Sequence, residues 1–89
     1  MYLKDLIPAL EKEIAFGREK YGAYHNAHEH YAVLQEEVDE WWEAVKGNAA
    51  RSCQYELLQV AAVALRYILE NGVLDQVEYV QEKRHAIKE

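Results

Sequence analysis

Ala27, Tyr31, Leu34, Val38, Trp41 and Val45 recur at alternating steps of four and three residues, which places all six along one side of an α-helix for nearly three heptads. A β-strand cannot use this spacing, because its side chains alternate with a period of two. Leu3, Leu6, Ile7, Leu10 and Ile14 repeat the pattern and predict a first helix over 3–20, which ends near Gly17 and Gly22. Pro8 is tolerated if the first turn begins near Asp5; otherwise it delays or kinks that helix. Gly47 and Asn48 close the second helix, and the Ser52 hydroxyl is expected to cap the third by accepting an orphan backbone N–H. Between Leu57 and Leu69 the only polar side chains besides Tyr67 are Gln59 and Arg66, so the third helix is apolar nearly all round and should be central. Asn71 and Gly72 form its stop, and a fourth segment carries Val73, Val77, Val80 and Ile87 on one side. The expectation is an all-α chain, one domain over 1–89, with four helices in a bundle-like arrangement.

A chain of 89 residues lies near the lower limit at which one hydrophobic core supports itself, which predicts completion by oligomerisation, as a homodimer or homotetramer. With 51% hydrophobic and 11% aromatic residues, the composition is that of a globular protein. The single cysteine, Cys53, forms no internal disulfide, which fits a reducing, cytoplasmic setting. The longest uninterrupted apolar stretch, Val60 to Leu65, is too short to span a bilayer, so no membrane partner is expected. Sixteen acidic residues against ten basic ones give a net charge of −6, which disfavours nucleic-acid binding through a basic surface. An anionic ligand would need a divalent cation between itself and the carboxylates.

Glu36, Glu37 and Glu40 lie close together on the second helix, where like charges three and four apart cost roughly 0.2–0.5 kcal/mol per pair. At 100° per residue, Glu37 falls about 75° from the middle of the apolar seam and Glu40 about 135° from it, with His30, Val33 and Ala44 along the same flank. Glu36, Asp39 and Glu43 point further out, toward solvent. Glu56 and Gln59 share one face of the third helix, and an antiparallel hairpin would set that pair opposite Glu37 and Glu40. Three carboxylates and an amide oxygen between helices make a donor set for a hard divalent cation. The plain alternatives are a solvated acidic face and, for Glu56, a first-turn glutamate favoured by the helix dipole.

These residues carry a resemblance. The Lys20-Tyr21-Gly22 entry, the His28-Glu29 start of helix two, the EExxE block at Glu36, Glu37 and Glu40, and the Glu56-Leu57-Leu58-Gln59 opening of an Ala/Val-rich helix look like the MazG-like all-α nucleoside triphosphate pyrophosphohydrolases, over roughly Lys20 to Leu69. That family's pattern is EExxE followed at a distance by ExxD. The resemblance implies a MazG-type fold and Mg²⁺-dependent cleavage of a nucleoside triphosphate between the α and β phosphates, with Mn²⁺ as a substitute ion. It implies metal ligands at Glu37, Glu40 and Glu56, with Gln59 where the pattern has aspartate. That change keeps an oxygen ligand but removes a negative charge, and so weakens metal affinity. Glu36 is a secondary catalytic candidate, as a base or an orienter of water. The contrary expectation is a non-catalytic helical module that binds nucleotide or protein through a degenerate metal site.

Lys20, Lys83 and Arg84 are candidate phosphate contacts by the same resemblance, and otherwise solvated lysines and a basic helix end. Trp41 sits in the seam and reads as core, while Trp42 lies off it and is a candidate to stack on a base or cover an interface. Tyr21 and Tyr24 are further candidate walls of a base pocket. His25, His28 and His30 do not form HExxH, since position 32 is alanine, so a zinc site is disfavoured against capping and packing roles. Arg66, two turns beyond Gln59 on the same face, should pair with an acidic residue. Cys53 reads as an apolar filler.

Overall fold

A computed structural model describes the backbone of residues 1–72 and 74–88, and side chains outside 73–76 and 85–89. Four α-helices follow one another: α1 (Leu3–Tyr21), α2 (Ala27–Lys46), α3 (Ala50–Asn71) and α4 (Leu74–Lys88). There is no strand among the described residues, and none of their helices is long and apolar enough to cross a membrane. Val73 and the side chain of Ile87, expected on the apolar side of the last helix, lie outside the described residues.

The helix ends follow local chemistry. Asp5 accepts a hydrogen bond from the Tyr2 backbone N–H at 2.9 Å, so α1 starts at Leu3 and encloses Pro8, whose ring removes one backbone bond from the second turn. Asn26 caps α2 by accepting from the Glu29 backbone N–H at 2.9 Å, while Glu29 reaches back to the His25 backbone at 3.3 Å and ring at 2.7 Å. The His25 ring, as hydrogen-bond donor, holds the Glu29 carboxyl below its ordinary range. Gly72 ends α3 in the left-handed region at φ 62°, and its N–H donates to the Ile68 carbonyl at 3.0 Å. Ser52 is not the cap of α3. Asn48 turns the chain at φ 56°, the Cys53 N–H reaches the Ala49 carbonyl at 2.8 Å, and the helix is under way before Ser52.

α3 is the floor of the molecule. The three-residue connection after Lys46 folds α2 back antiparallel to α3, and the registers agree: His30 meets Val63, and Glu37 meets Glu56. α1 packs on α3 in the same direction as α3 runs, with Glu13 at Gln59, Gly17 against Arg66 and Arg18 near Glu70. α1 and α2 both pack on α3 but hardly on each other, which leaves an open trough between them. Its base holds the core: Leu10 and Ile14 from α1, and Ala62 and Val63 from α3. Among the described residues, α4 does not pack extensively on any of the other three helices.

The heptad seam of α2 is only half buried. Leu34, Val38, Trp41 and Val45 are partly covered, but Ala27 is exposed and Tyr31 is 68% exposed. At this end α2 instead turns the His30 flank onto α3: the imidazole Nε2 lies 2.9 Å from the Val63 carbonyl and the ring stacks on Tyr67 at 4.6 Å. That bond satisfies a polar ring against a helix, and Tyr24 closes its edge at 5.0 Å.

Candidate functional site

The trough forms a cleft of about 430 Å³. Its walls come from all three packed helices: Glu13, Phe16 and Tyr21 on α1, Val33, Glu36, Glu37 and Glu40 on α2, and Gln59, Val63 and Arg66 on α3. The registers described above separate it into two ends. One is acidic, at Glu13, Glu37, Glu40 and Gln59; the other is aromatic and cationic, at Tyr21, Tyr24 and Arg66.

At the acidic end Glu37 and Glu40 line the cleft, and Glu56, which does not line it, meets them so that each of the three brings a carboxylate oxygen within 4.8 Å of the others. Glu37 and Glu56 are half-buried and Glu40 is exposed. Burial, followed by the charges of Glu40 and Glu56, pushes the Glu37 carboxyl up to about 7 from 4.5. A donor set of carboxylate oxygens alone, with one member destabilised as an anion by its neighbours, fits a hard divalent cation such as Mg²⁺ or Mn²⁺. Glu36 is exposed, as expected, and also borders the cleft, where its charge adds to the upward push on Glu37. The cause is the half-buried seam: with Tyr31 outward, the carboxylate flank of α2 faces the trough.

Gln59 stands at this end but is already engaged. Its side-chain amide donates to Glu13 Oε2 at 2.7 Å, which ties α3 to α1 and leaves its carbonyl oxygen as the donor available to a cation. Glu13 lies among charged neighbours in sequence, Glu11 and Lys12, and nothing local distinguishes it. Only its place one position before the apolar Ile14, on the side of Leu10 and Gly17, hints that it faces α3. A consequence concerns Gln59→Asp. It removes the bond to Glu13 and sets two carboxylates face to face, so the metal-free variant should lose about 1–2 kcal/mol of stability. Added Mg²⁺ should then raise its melting temperature more than that of the wild type. Differential scanning fluorimetry with and without millimolar Mg²⁺ checks both, and an equal ion response would place Gln59 outside the site.

The other end is organised by Arg66, 3% exposed. Its guanidinium donates to the Gly22 carbonyl, to Tyr24 Oη at 3.4 Å and to Glu70 Oε1 at 3.3 Å, and it lies 4.6 Å from the Tyr24 ring centre. Glu70 thus supplies the acidic partner that a buried arginine requires, with Arg18 at 3.8 Å on its other side. Gly17 leaves room for this passage, since a Cβ there would come within 2.9 Å of Arg66 Nη1. Burial raises the Tyr24 phenol above its ordinary value, so it remains a neutral donor and acceptor.

Lys20, Trp42, Lys83 and Arg84 do not line the cleft. Lys20 sits at the rim, its Nζ 5.1 Å from the Tyr21 ring and 5.6 Å from Phe16, both of which do line it. Trp42 is exposed with Lys46 Nζ at 5.7 Å, and Lys83 covers Tyr79 at 5.5 Å on α4, where Arg84 is also exposed. The three histidines do not converge: His25 serves Glu29, His30 serves Val63, and His28 is exposed. No protein-family model matches this chain, and no curated protein and no solved structure matches it either.

Proposed function

We propose that this chain is a Mg²⁺-dependent nucleoside triphosphate pyrophosphohydrolase of the MazG type, working as an oligomer in the cytoplasm and releasing a nucleoside monophosphate and pyrophosphate. The observation that carries the reading is the meeting of Glu37, Glu40 and Glu56, from two helices, with Glu37 and Glu40 lining one end of a cleft whose other end is aromatic. A volume of about 430 Å³ lies within the range of small-molecule sites. Glu37, Glu40 and Glu56 would hold the cation, with the Gln59 carbonyl oxygen beside them. When bound, such an ion offsets phosphate charge and lowers the pKa of a coordinated water.

The chain's own residues do the rest. Phe16, Tyr21 and Tyr24 line the end where a nucleobase would sit, so the polyphosphate would point toward the carboxylates. Glu36 borders the cleft beside the cluster and would accept a proton from the attacking water. Lys20, at the rim, is within reach of phosphates that enter the cleft. The bond of Gln59 to Glu13 favours a second reading, a cleft that binds nucleotide without hydrolysing it, because the fourth carboxylate of the pattern is replaced by an engaged amide.

Pyrophosphate release across ribo- and deoxynucleoside triphosphates, with Mg²⁺ or Mn²⁺, separates these readings when run beside Glu56→Gln. Turnover that falls about a hundredfold in the variant supports hydrolysis. Metal-dependent nucleotide binding with no release in either protein supports the second reading, and neither binding nor release removes both.

A further inference from the structure

The aromatic end of the cleft has hydrogen-bond donors to spare. A guanidinium can only donate, so between Arg66 and Tyr24 the phenol oxygen is the acceptor, at 3.4 Å. The positive charge, 4.6 Å from the ring centre, turns the hydroxyl hydrogen away from Arg66. That hydrogen has no acceptor among the described residues, and Tyr24 lines the cleft. Arg66 Nε–H is a second donor, buried and without a partner. The acceptors that line the same end are engaged: the Gly22 carbonyl receives Arg66, the Val63 carbonyl receives His30, and Glu29 receives the backbone and ring of His25.

We propose that Tyr24, held by Arg66 as a donor, selects the ring bound at this end, and that it takes a base presenting a carbonyl oxygen and no amino group on the edge being read, as uracil and hypoxanthine do. This rests on the nucleotide reading above and adds which bases the cleft accepts.

A tyrosine hydroxyl ordinarily adapts, donating to one ligand and accepting from another. Here it cannot. To accept from an exocyclic amine, Tyr24 would have to rotate its hydrogen toward the guanidinium, or leave two donors facing each other with neither satisfied. Adenine and cytosine carry that amine where hypoxanthine and uracil carry a carbonyl, while the rings are otherwise close in shape. A phosphate suits this end less well. The Arg66 charge is already balanced by Glu70 at 3.3 Å, and Glu29 adds a carboxylate to the lining, whereas a neutral carbonyl takes the free hydrogen and brings no charge into a half-buried place.

Nucleosides test this without phosphate, metal or turnover. Titrated into the full chain and followed by amide chemical shifts in NMR, inosine should bind about tenfold more tightly than adenosine, and uridine about tenfold more tightly than cytidine. Tyr24→Phe keeps the ring, removes the hydroxyl and should bring both ratios close to one, with helicity by circular dichroism retained. Equal affinities within each pair for the wild type, ratios unchanged in Tyr24→Phe, or no nucleoside bound up to its solubility overturns the inference. The wild-type ratios test it whether or not the variant folds. Pyrophosphate release that falls in Glu56→Gln beside flat nucleoside ratios leaves hydrolysis standing and removes this inference; discriminating nucleoside binding with no release does the reverse.

Discussion

Glu37→Gln is expected to abolish most metal-dependent turnover and, in the absence of metal, to make the protein more stable. The two effects have one cause. Burial and the carboxylates of Glu40 and Glu56 hold the Glu37 carboxyl at about 7 instead of 4.5, so the folded chain binds this proton more tightly than the unfolded chain does. The associated stability is present in full below pH 4.5 and is lost as pH rises through about 7. A neutral amide avoids that loss. At pH 8 the variant should exceed wild type by about 1–2 kcal/mol after solvent screening of this half-exposed group, or several degrees in melting temperature, and at pH 4 the two should coincide.

Added Mg²⁺ should reverse the order at pH 8. A cation restores the attraction that the wild-type cluster lacks, whereas the variant offers one charge fewer, so only the wild type should gain substantially in melting temperature. Loss of several kcal/mol of electrostatic stabilisation corresponds to a fall of about a hundredfold or more in pyrophosphate release. Ion affinity of the wild type should itself rise with pH through 7, because the cation competes with the Glu37 proton. Thermal scans of both proteins across pH 4 to 8, with and without Mg²⁺, check all of this together. A variant less stable than wild type at pH 8 without metal means that Glu37 is held by something other than its neighbours' charge. An ion response equal to that of the wild type removes Glu37 from the donor set.

The residues of this cluster were legible in sequence because each half of it is local. Glu37 and Glu40 are one helical turn apart, Glu56 opens the next helix, and the glycine turn at Gly47 dictates a hairpin that brings the two together. The stop at Asn71 and Gly72 was equally plain, since a left-handed C-cap selects glycine. The orientation of α2 was not legible. A heptad count treats Tyr31 as an apolar seam residue, yet it cannot weigh that tyrosine against His30, whose ring finds the Val63 carbonyl only once α3 is in place. The few tens of degrees between those choices decide whether the exposed Glu36 also borders the cleft. Glu13 was hidden for the same reason: its contact with Gln59 spans 46 residues, and α1 must be laid parallel to α3 before either side chain has a partner. The start of α3 was misplaced because Ser52 has the side chain of a good cap, whereas Asn48 adopts the backbone that turns the chain earlier.

Arg66→Ala should cost about 3–5 kcal/mol, enough to leave much of this small domain unfolded at room temperature. The buried apolar set among the described residues is slight, at Leu10, Ile14, Ala62 and Val63, so the helices depend heavily on side chains that span them, and Arg66 is the most buried of these. Arg66 joins α3 to the end of α1 through the Gly22 carbonyl, to the α1–α2 loop through Tyr24, and to its own helix through Glu70. Truncation leaves a half-buried carboxylate with only the distant, half-exposed Arg18 beside it, and two oxygens without a donor. Arg66→Lys should not rescue, since a single ammonium cannot reproduce the planar fork that reaches several partners at once. Arg66→Met combined with Glu70→Gln should recover much of the loss, because replacing both charges leaves no unpaired ion and an unbranched apolar chain fills the same passage over Gly17. Arg18→Ala, at 3.8 Å from Glu70 and nearly half exposed, should cost under about 1 kcal/mol. Urea titrations followed by circular dichroism rank the four proteins. An Arg66→Ala midpoint equal to that of Arg18→Ala would show that the guanidinium only occupies space, and would assign the stability of this end of the cleft to the Tyr24, His30 and Tyr67 ring cluster instead.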